Sequence, residues 1–147
     1  MFKHILVPTD GSALSLRAAT NAVQFAKING ARITAFYAAP EYHPNISGDY
    51  MPANFVPLAG FKKQIQETAD KYLGQVKKLA AVGKVPCAGA YVSNDSPYQA
   101  IIKAAKANKC DLIFMASHGR SGITGLLIGS ETNKVLTHCK LPVLVYR

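Results

Sequence analysis

The chain has 147 residues, 49% hydrophobic and 17% charged, with 17 Lys and Arg against 8 Asp and Glu for a formal net charge of +9. That size supports one domain (1–147) with one core, and that composition excludes a disordered or low-complexity protein. No apolar run approaches the roughly 18 residues of a membrane span, and the N-terminal run is too short for a secretory leader, so a cytoplasmic protein with no membrane partner is expected.

His4–Val7 is a short continuous apolar run, as strands buried on both faces tend to be. Ser12–Asn29 predicts a helix, with Leu14, Ala18, Ala22, Phe25 and Ala26 on one face, Ser12 as N-cap and Gly30 as its stop. Ala31–Tyr37 reads as a second strand. Residues 40–57 then interrupt the rhythm, because Pro40, Pro44, Pro52, Pro57 and Gly48 oppose regular structure. Tyr42, Tyr50, Met51 and Phe55 give this loop apolar weight. It reads either as cover for the sheet edge or as a flap beside a ligand or a dimer contact.

A long amphipathic helix follows over Leu58–Val82, with Phe61, Ile65, Thr68, Tyr72, Val76 and Leu79 repeating at steps of three and four. Lys84–Val92 predicts a third strand, weakened by Pro86 and Gly89. Residues 96–108 predict a helix with Tyr98, Ile101, Ile102 and Ala105 inward. Asp111–Ala116 is a fourth strand, Ser130–His138 a helix and Pro142–Tyr146 a fifth strand. Strict alternation of strand and helix predicts an α/β fold: a doubly wound parallel sheet of five strands with helices on both faces. Ligands of such sheets bind beyond the carboxyl ends of the strands, where the winding direction reverses. The turn Pro8-Thr-Asp-Gly-Ser12 and the loop Ala116–Ser130 are therefore the functional candidates.

The second of these starts at a strand end, runs through small residues and finishes at a helix start. Backbone N–H groups of a glycine-rich loop approach an anion closely, and the helix N-terminus adds unpaired donors and a favourable dipole. The spacing is neither a Walker A loop nor a GxGxxG fingerprint. The loop's glycines allow close backbone approach or a positive φ, and Ser130 reads as an N-cap at the helix start.

The basic residues, among them Lys62, Lys63, Lys77, Lys78, Lys103, Lys106, Lys109, Lys134 and Lys140, are scattered and read as solvated helix faces. No run mixes Arg with stacking aromatics, so nucleic acid is not the expected partner; a basic nucleic-acid-associated protein stays as a minor alternative. Cys87, Cys110 and Cys139 form no metal or redox spacing and are expected as reduced, mostly buried thiols; no metal site is assigned. Catalysis lacks its usual signatures. Asp10 is the single acid expected in the pocket, and there is no Walker lysine, HExxH or GxSxG, so no catalytic residue is assigned.

Several segments carry a resemblance. Ile5-Leu-Val-Pro-Thr-Asp-Gly-Ser12, Asp111-Leu-Ile-Phe-Met-Ala-Ser-His-Gly-Arg-Ser-Gly122, Leu127-Ile-Gly-Ser130 and Leu141-Pro-Val-Leu-Val145 resemble universal stress proteins. The resemblance spans the chain and implies strand order 3-2-1-4-5 and a homodimer paired through the last strand, Pro142–Tyr146. Members of this family divide into those that bind ATP and those that do not. The binding pattern is Gly, two residues, Gly, nine residues, then Gly and Ser or Thr. Here its positions are Ala116, Gly119, Gly129 and Ser130, so the first glycine is replaced while the nine-residue span is kept.

The resemblance further implies that Thr9 and Asp10 meet the adenosine part, with Pro8 shaping the turn and Ala38, after the second strand, beside the adenine. Gly119, Arg120, Gly129 and Ser130 surround the phosphates, with contributions from Ser117 and His118. The implied cofactor is ATP, or ADP or AMP, with Mg2+, and at most slow ATP hydrolysis. Plainer readings stand beside these: Asp10 as a turn-capping residue, His118 as a loop hydrogen-bonding residue, Arg120 pointing into solvent. The whole protein reads as a nucleotide-dependent stress-response module or as a nucleotide-independent dimeric interaction protein.

Overall fold

The computed structural model describes residues 1–46, 48, 51–120 and 128–147. Along the chain run β1 (His4–Pro8), α1 (Ala13–Asn29), β2 (Arg32–Ala39), α2 (Leu58–Gly83), β3 (Cys87–Ser93), α3 (Pro97–Ala107), β4 (Leu112–Ala116), α4 (Ser130–His138) and β5 (Val143–Tyr146). The strands form one sheet in the order β3-β2-β1-β4-β5, each neighbouring pair parallel. β1 is central, and the winding reverses between β1 and β4.

Side chains of a strand alternate between faces, and here the alternation divides the core in two. Ile5, Val7, Ile33, Ala35, Leu112 and Phe114 meet α1 and α2, whereas Leu6, Phe36, Ile113 and Met115 meet α3 and α4. Continuous apolar strands are thus explained by helices on both faces. Ala18, Ala19, Ala22 and Ala26 are fully buried and let α1 lie close to the sheet. Each buried Ile, Leu or Val of the central strand contributes roughly 1.5–3 kcal/mol through removal from water. The predicted basic residues from Lys62 to Lys140 are all exposed. No helix among the described residues is long and apolar enough to cross a membrane.

Several boundaries differ from the expectation. Lys84 is in the left-handed conformation at φ 56° and caps α2, so β3 begins only after Pro86, three residues later than predicted. β2 extends to Ala39, which places Ala38 inside the strand opposite Val92 and not beyond its end. Asp111 precedes β4; its carboxylate accepts the N–H groups of Lys3 (2.8 Å) and His4 (3.0 Å), tying the start of β1 to β4. The three cysteines are free, but only Cys110 is buried, since Cys87 and Cys139 lie in outer positions of the sheet and of the helix layer.

The 40–57 segment has no regular helix or strand among its described residues, and its aromatic weight rests on the start of α2. The Tyr42 ring lies 5.2 Å from that of Phe61, and its hydroxyl donates to the Val56 carbonyl at 2.9 Å. Met51, by contrast, is 63% exposed, and Tyr50 lies outside the described residues.

Candidate functional site

The turn after β1 is built from short polar side chains bonding their own backbone. Thr9 is buried, its N–H donates to the Phe36 carbonyl (2.8 Å), and its Oγ1 accepts the Gly11 N–H (3.2 Å) and meets Ser15 Oγ (3.2 Å). Ser12 is the N-cap of α1, accepting the Ser15 N–H at 3.2 Å. Gly11 is required twice over: its φ is +74°, and a Cβ there would sit 2.3 Å from the Tyr72 ring.

Asp10 joins this turn to the loop after β4. Its Oδ1 accepts the Ser12 N–H (3.0 Å) and its Oδ2 accepts the Arg120 N–H (2.7 Å). Burial pushes the Asp10 carboxyl up, but donors from Ser12, Arg120 and Ser15 outweigh it and hold it below the ordinary carboxylate value. Gly119 serves this link, because a Cβ there would lie 2.5 Å from Asp10 Oδ2. Asp10 is therefore the turn-capping residue of the plainer expectation and also a cavity wall.

At the end of β4 the loop returns onto itself. The Ser117 carbonyl accepts the Gly129 N–H (2.7 Å), and the Ser117 N–H donates to the Tyr146 carbonyl (2.7 Å). Thr132 closes the corner by donating to the Ala116 carbonyl at 3.0 Å. A Cβ on Gly129 would lie 2.9 Å from His118 Cβ, 3.1 Å from His118 Cα and 3.3 Å from the Ser117 carbonyl. Neither Gly119 nor Gly129 has a positive φ, so both glycines serve close approach within the protein. Gly129, extended at φ −69° and ψ 159°, is the N-cap of α4, and its carbonyl accepts the Asn133 N–H (2.9 Å). Ser130 is thus the first helical residue and not the cap expected from the sequence. Among the described residues α4 has no side-chain cap bond, and the N–H groups of a helix's first turn have no intrahelical partner.

These pieces enclose a cavity of about 350 Å3 between the carboxyl ends of β1 and β4 and the N-termini of α3 and α4. Of the sequence-predicted residues it is lined by Pro8, Thr9, Asp10, Ala38, Ala116, His118, Gly119, Arg120, Gly129 and Ser130. Ser117 is the exception. Its side chain is buried behind the wall, where its hydroxyl meets His118 Nδ1 at 3.1 Å. Ser121, Gly122 and Leu127 of the quoted motifs lie outside the described residues.

One side of the cavity went unread in the sequence. Phe36, Pro97, Ile101 and Met115 give it an apolar wall, continued by Ala38 and Ala116. The period-2 pairing of Phe36 with Ala38 was the available signal, and the contribution of α3 had none. Glu131 was also missed. Its Oε2 accepts the Tyr98 N–H (2.9 Å) and its Oε1 accepts from Lys134 Nζ (2.7 Å). Glu131 thereby caps α3, whose own Ser96 makes no side-chain cap bond. Arg120 is the one cation among the described lining residues, and its guanidinium lies over the Tyr72 ring, 5.0 Å from the centroid.

Fold and cavity together define a doubly wound α/β protein with a mostly apolar cavity at the switch point of its sheet. The chain belongs to the universal stress protein family, whose profile matches residues 1–147. A universal stress protein of Thermus aquaticus is 35% identical over 147 residues, covering 100% of both chains. The solved structure of MJ0577 from Methanocaldococcus jannaschii is similar at a TM-score of 0.81 and 25% identity, covering 99% of this chain and 95% of that one. A universal stress protein in complex with cAMP is similar at a TM-score of 0.69 and 26% identity, covering 99% and 97%.

Proposed function

We propose that this protein binds an adenine nucleotide, ATP or its di- or monophosphate, in the cavity between β1 and β4. Occupancy then serves as a signal in a cytoplasmic stress response. The observation that carries this reading is the pairing of an apolar slot (Phe36, Ile101, Met115) with the first turn of α4 (Ser130, Glu131, Thr132), which has no side-chain cap bond among the described residues, across one cavity of about 350 Å3. A flat apolar base suits the first and an anion the second. The relative in complex with cAMP supports the choice of an adenine ring. Ala116 keeps its methyl group in the wall of a cavity that still falls within the range of small-molecule sites.

The residues assign the work as follows. The Thr9–Asp10 turn faces the sugar, Gly119 and Arg120 flank the phosphates, and Ser130 adds its N–H and hydroxyl. Magnesium has no ready carboxylate here. Asp10 is engaged by Ser12 and Arg120, and Glu131 by Tyr98 and Lys134. A magnesium ion would therefore be held by the phosphates, with no carboxylate of the described lining residues as ligand. The outer edge of β5 has no strand partner among the described residues, and Val143–Tyr146 are half-buried in one chain. We assign the homodimer contact to that edge.

Thermal unfolding with ATP, AMP and cAMP, each with and without Mg2+, tests the reading. Ligand at a hundred times its Kd stabilises by about 2.7 kcal/mol, which raises Tm by roughly 5–11 °C in a chain of this size. Absence of any shift at millimolar nucleotide, with no nucleotide released from the purified protein, overturns it in favour of a nucleotide-independent interaction protein.

A further inference from the structure

On the same edge of the sheet, away from the cavity, two loops bring together an imidazole and two carboxylates. Glu41 and His43 follow β2, and Asp95 follows β3. The two strands are parallel neighbours in register from Ile33–Cys87 to Ala39–Ser93, and the Asn94 N–H continues the ladder to the Ala39 carbonyl at 2.8 Å. The backbone therefore decides where these side chains emerge. Asp95 Oδ1 accepts the Glu41 N–H at 2.9 Å, and Asp95 Oδ2 pairs with His43 Nε2.

We propose that Glu41, His43 and Asp95 form a binding site for a divalent transition-metal ion, with Zn2+ the best chemical match. One donor atom from each residue lies within 4.8 Å of the other two. Tetrahedral Zn2+ with ligands at about 2.0–2.2 Å needs its donors roughly 3.4 Å apart, so the direct His43–Asp95 contact must open to admit the ion while the Glu41 carboxylate rotates in, movements that exposed side chains allow. An imidazole nitrogen with carboxylate oxygens favours zinc and its neighbours over Mg2+ or Ca2+, which prefer oxygen alone.

Charge supplies an independent argument. Cationic side chains outnumber acidic ones 17 to 8, yet no Lys or Arg among the described residues makes an ion pair with Glu41 or Asp95. Two carboxylates whose one ion-pair partner among the described residues is His43, itself a candidate ligand, suit an external cation on a strongly basic protein. Glu41 and His43 also border a second cavity of about 240 Å3 with Tyr42, Phe55 and Phe61, so their side chains edge a concavity. Three protein donors leave the fourth zinc position to water. The ion would bind the loop after β2 to the β3–α3 turn, next to Pro97, the first residue of α3, which lines the cavity. The metal proposal does not depend on the nucleotide reading.

Calorimetric titration of the metal-stripped full-length chain with ZnCl2, and absorption spectra with CoCl2, test it. One ion per chain is expected, with cobalt d–d bands of low-coordination geometry. His43→Ala and Asp95→Asn should each weaken binding by at least about tenfold. Far-UV circular dichroism of both variants should be unchanged, since these side chains are 68% and 48% exposed. A Cys87→Ser/Cys139→Ser variant should bind as the wild type does. The proposal is overturned if no zinc binds, if affinity survives His43→Ala, if the cysteine variant loses it, or if Mg2+ or Ca2+ binds more tightly than Zn2+.

Discussion

Replacing Asp10 with Asn tests whether its carboxylate joins the β1 turn to the loop after β4. The wild-type side chain accepts a backbone N–H at each oxygen, from Ser12 at 3.0 Å and Arg120 at 2.7 Å. An amide has one acceptor oxygen, so one N–H must lose its partner or face the amide's own N–H. A half-buried donor left without its partner costs about 1–3 kcal/mol. At roughly 2–4 °C per kcal/mol for a chain of this length, Tm should fall by about 2–12 °C near neutral pH.

The sign of the pH dependence follows from the same contacts. Asp10 in the fold sits below its ordinary carboxylate value, so its stabilisation is complete above that value and is lost as pH falls through the folded one. The gap in Tm between wild type and Asp10→Asn should therefore narrow on acidification. Calorimetric melts across that range measure both quantities. A variant within about 1 °C of wild type at neutral pH, or a gap independent of pH, refutes the reasoning.

Gly129→Val should destabilise the fold by about 1–3 kcal/mol even without nucleotide, because its Cβ falls 2.9 Å from His118 Cβ; an unchanged denaturation midpoint contradicts this. His4 is buried with Nε2 2.8 Å from Thr34 Oγ1, and burial, with the nearby Arg32 charge, lowers its pKa below the usual histidine value. The unfolded chain takes up that proton first, so wild-type stability should decline as pH drops below about 6.5, and His4→Gln should flatten the decline. The Cys110 thiol, pushed up to about 11 by burial and the neighbouring Asp111 charge, has about one part in a thousand as thiolate at pH 8. Peptide mapping after alkylation should find Cys110 far slower to react in the native protein than in denaturant.

Legibility in the sequence tracked the range of the interaction responsible. Elements set by local periodicity were read well: α1 with its Ser12 cap and Gly30 stop, and α4 over Ser130–His138. Errors came where a distant contact or a neighbouring backbone preference intervened. β2 runs to Ala39 because β3 pairs with it residue by residue up to Ser93. Lys84 leaves the strand because it ends α2 in the left-handed region. The polar half of the cavity was visible because it comes from two continuous segments, 8–12 and 116–130. The apolar half was not, since Phe36, Ile101 and Met115 come from three elements that meet only after the sheet is wound.

The sequence by itself determined the alternation of strands and helices, the sheet edge at which the cavity lies and the family to which the chain belongs. Those properties rest on hydrophobic period, caps and contiguous motifs, all short in range. Tertiary structure alone decided what each motif residue does. It turned Ser117 behind the wall, made Gly129 the helix cap and set Gly119 against Asp10. It also brought Glu131 to α3 and Asp95 to His43. Each of these outcomes depends on which atoms, dozens of residues apart, compete for the same space or the same hydrogen-bond donor, and no local pattern records that competition.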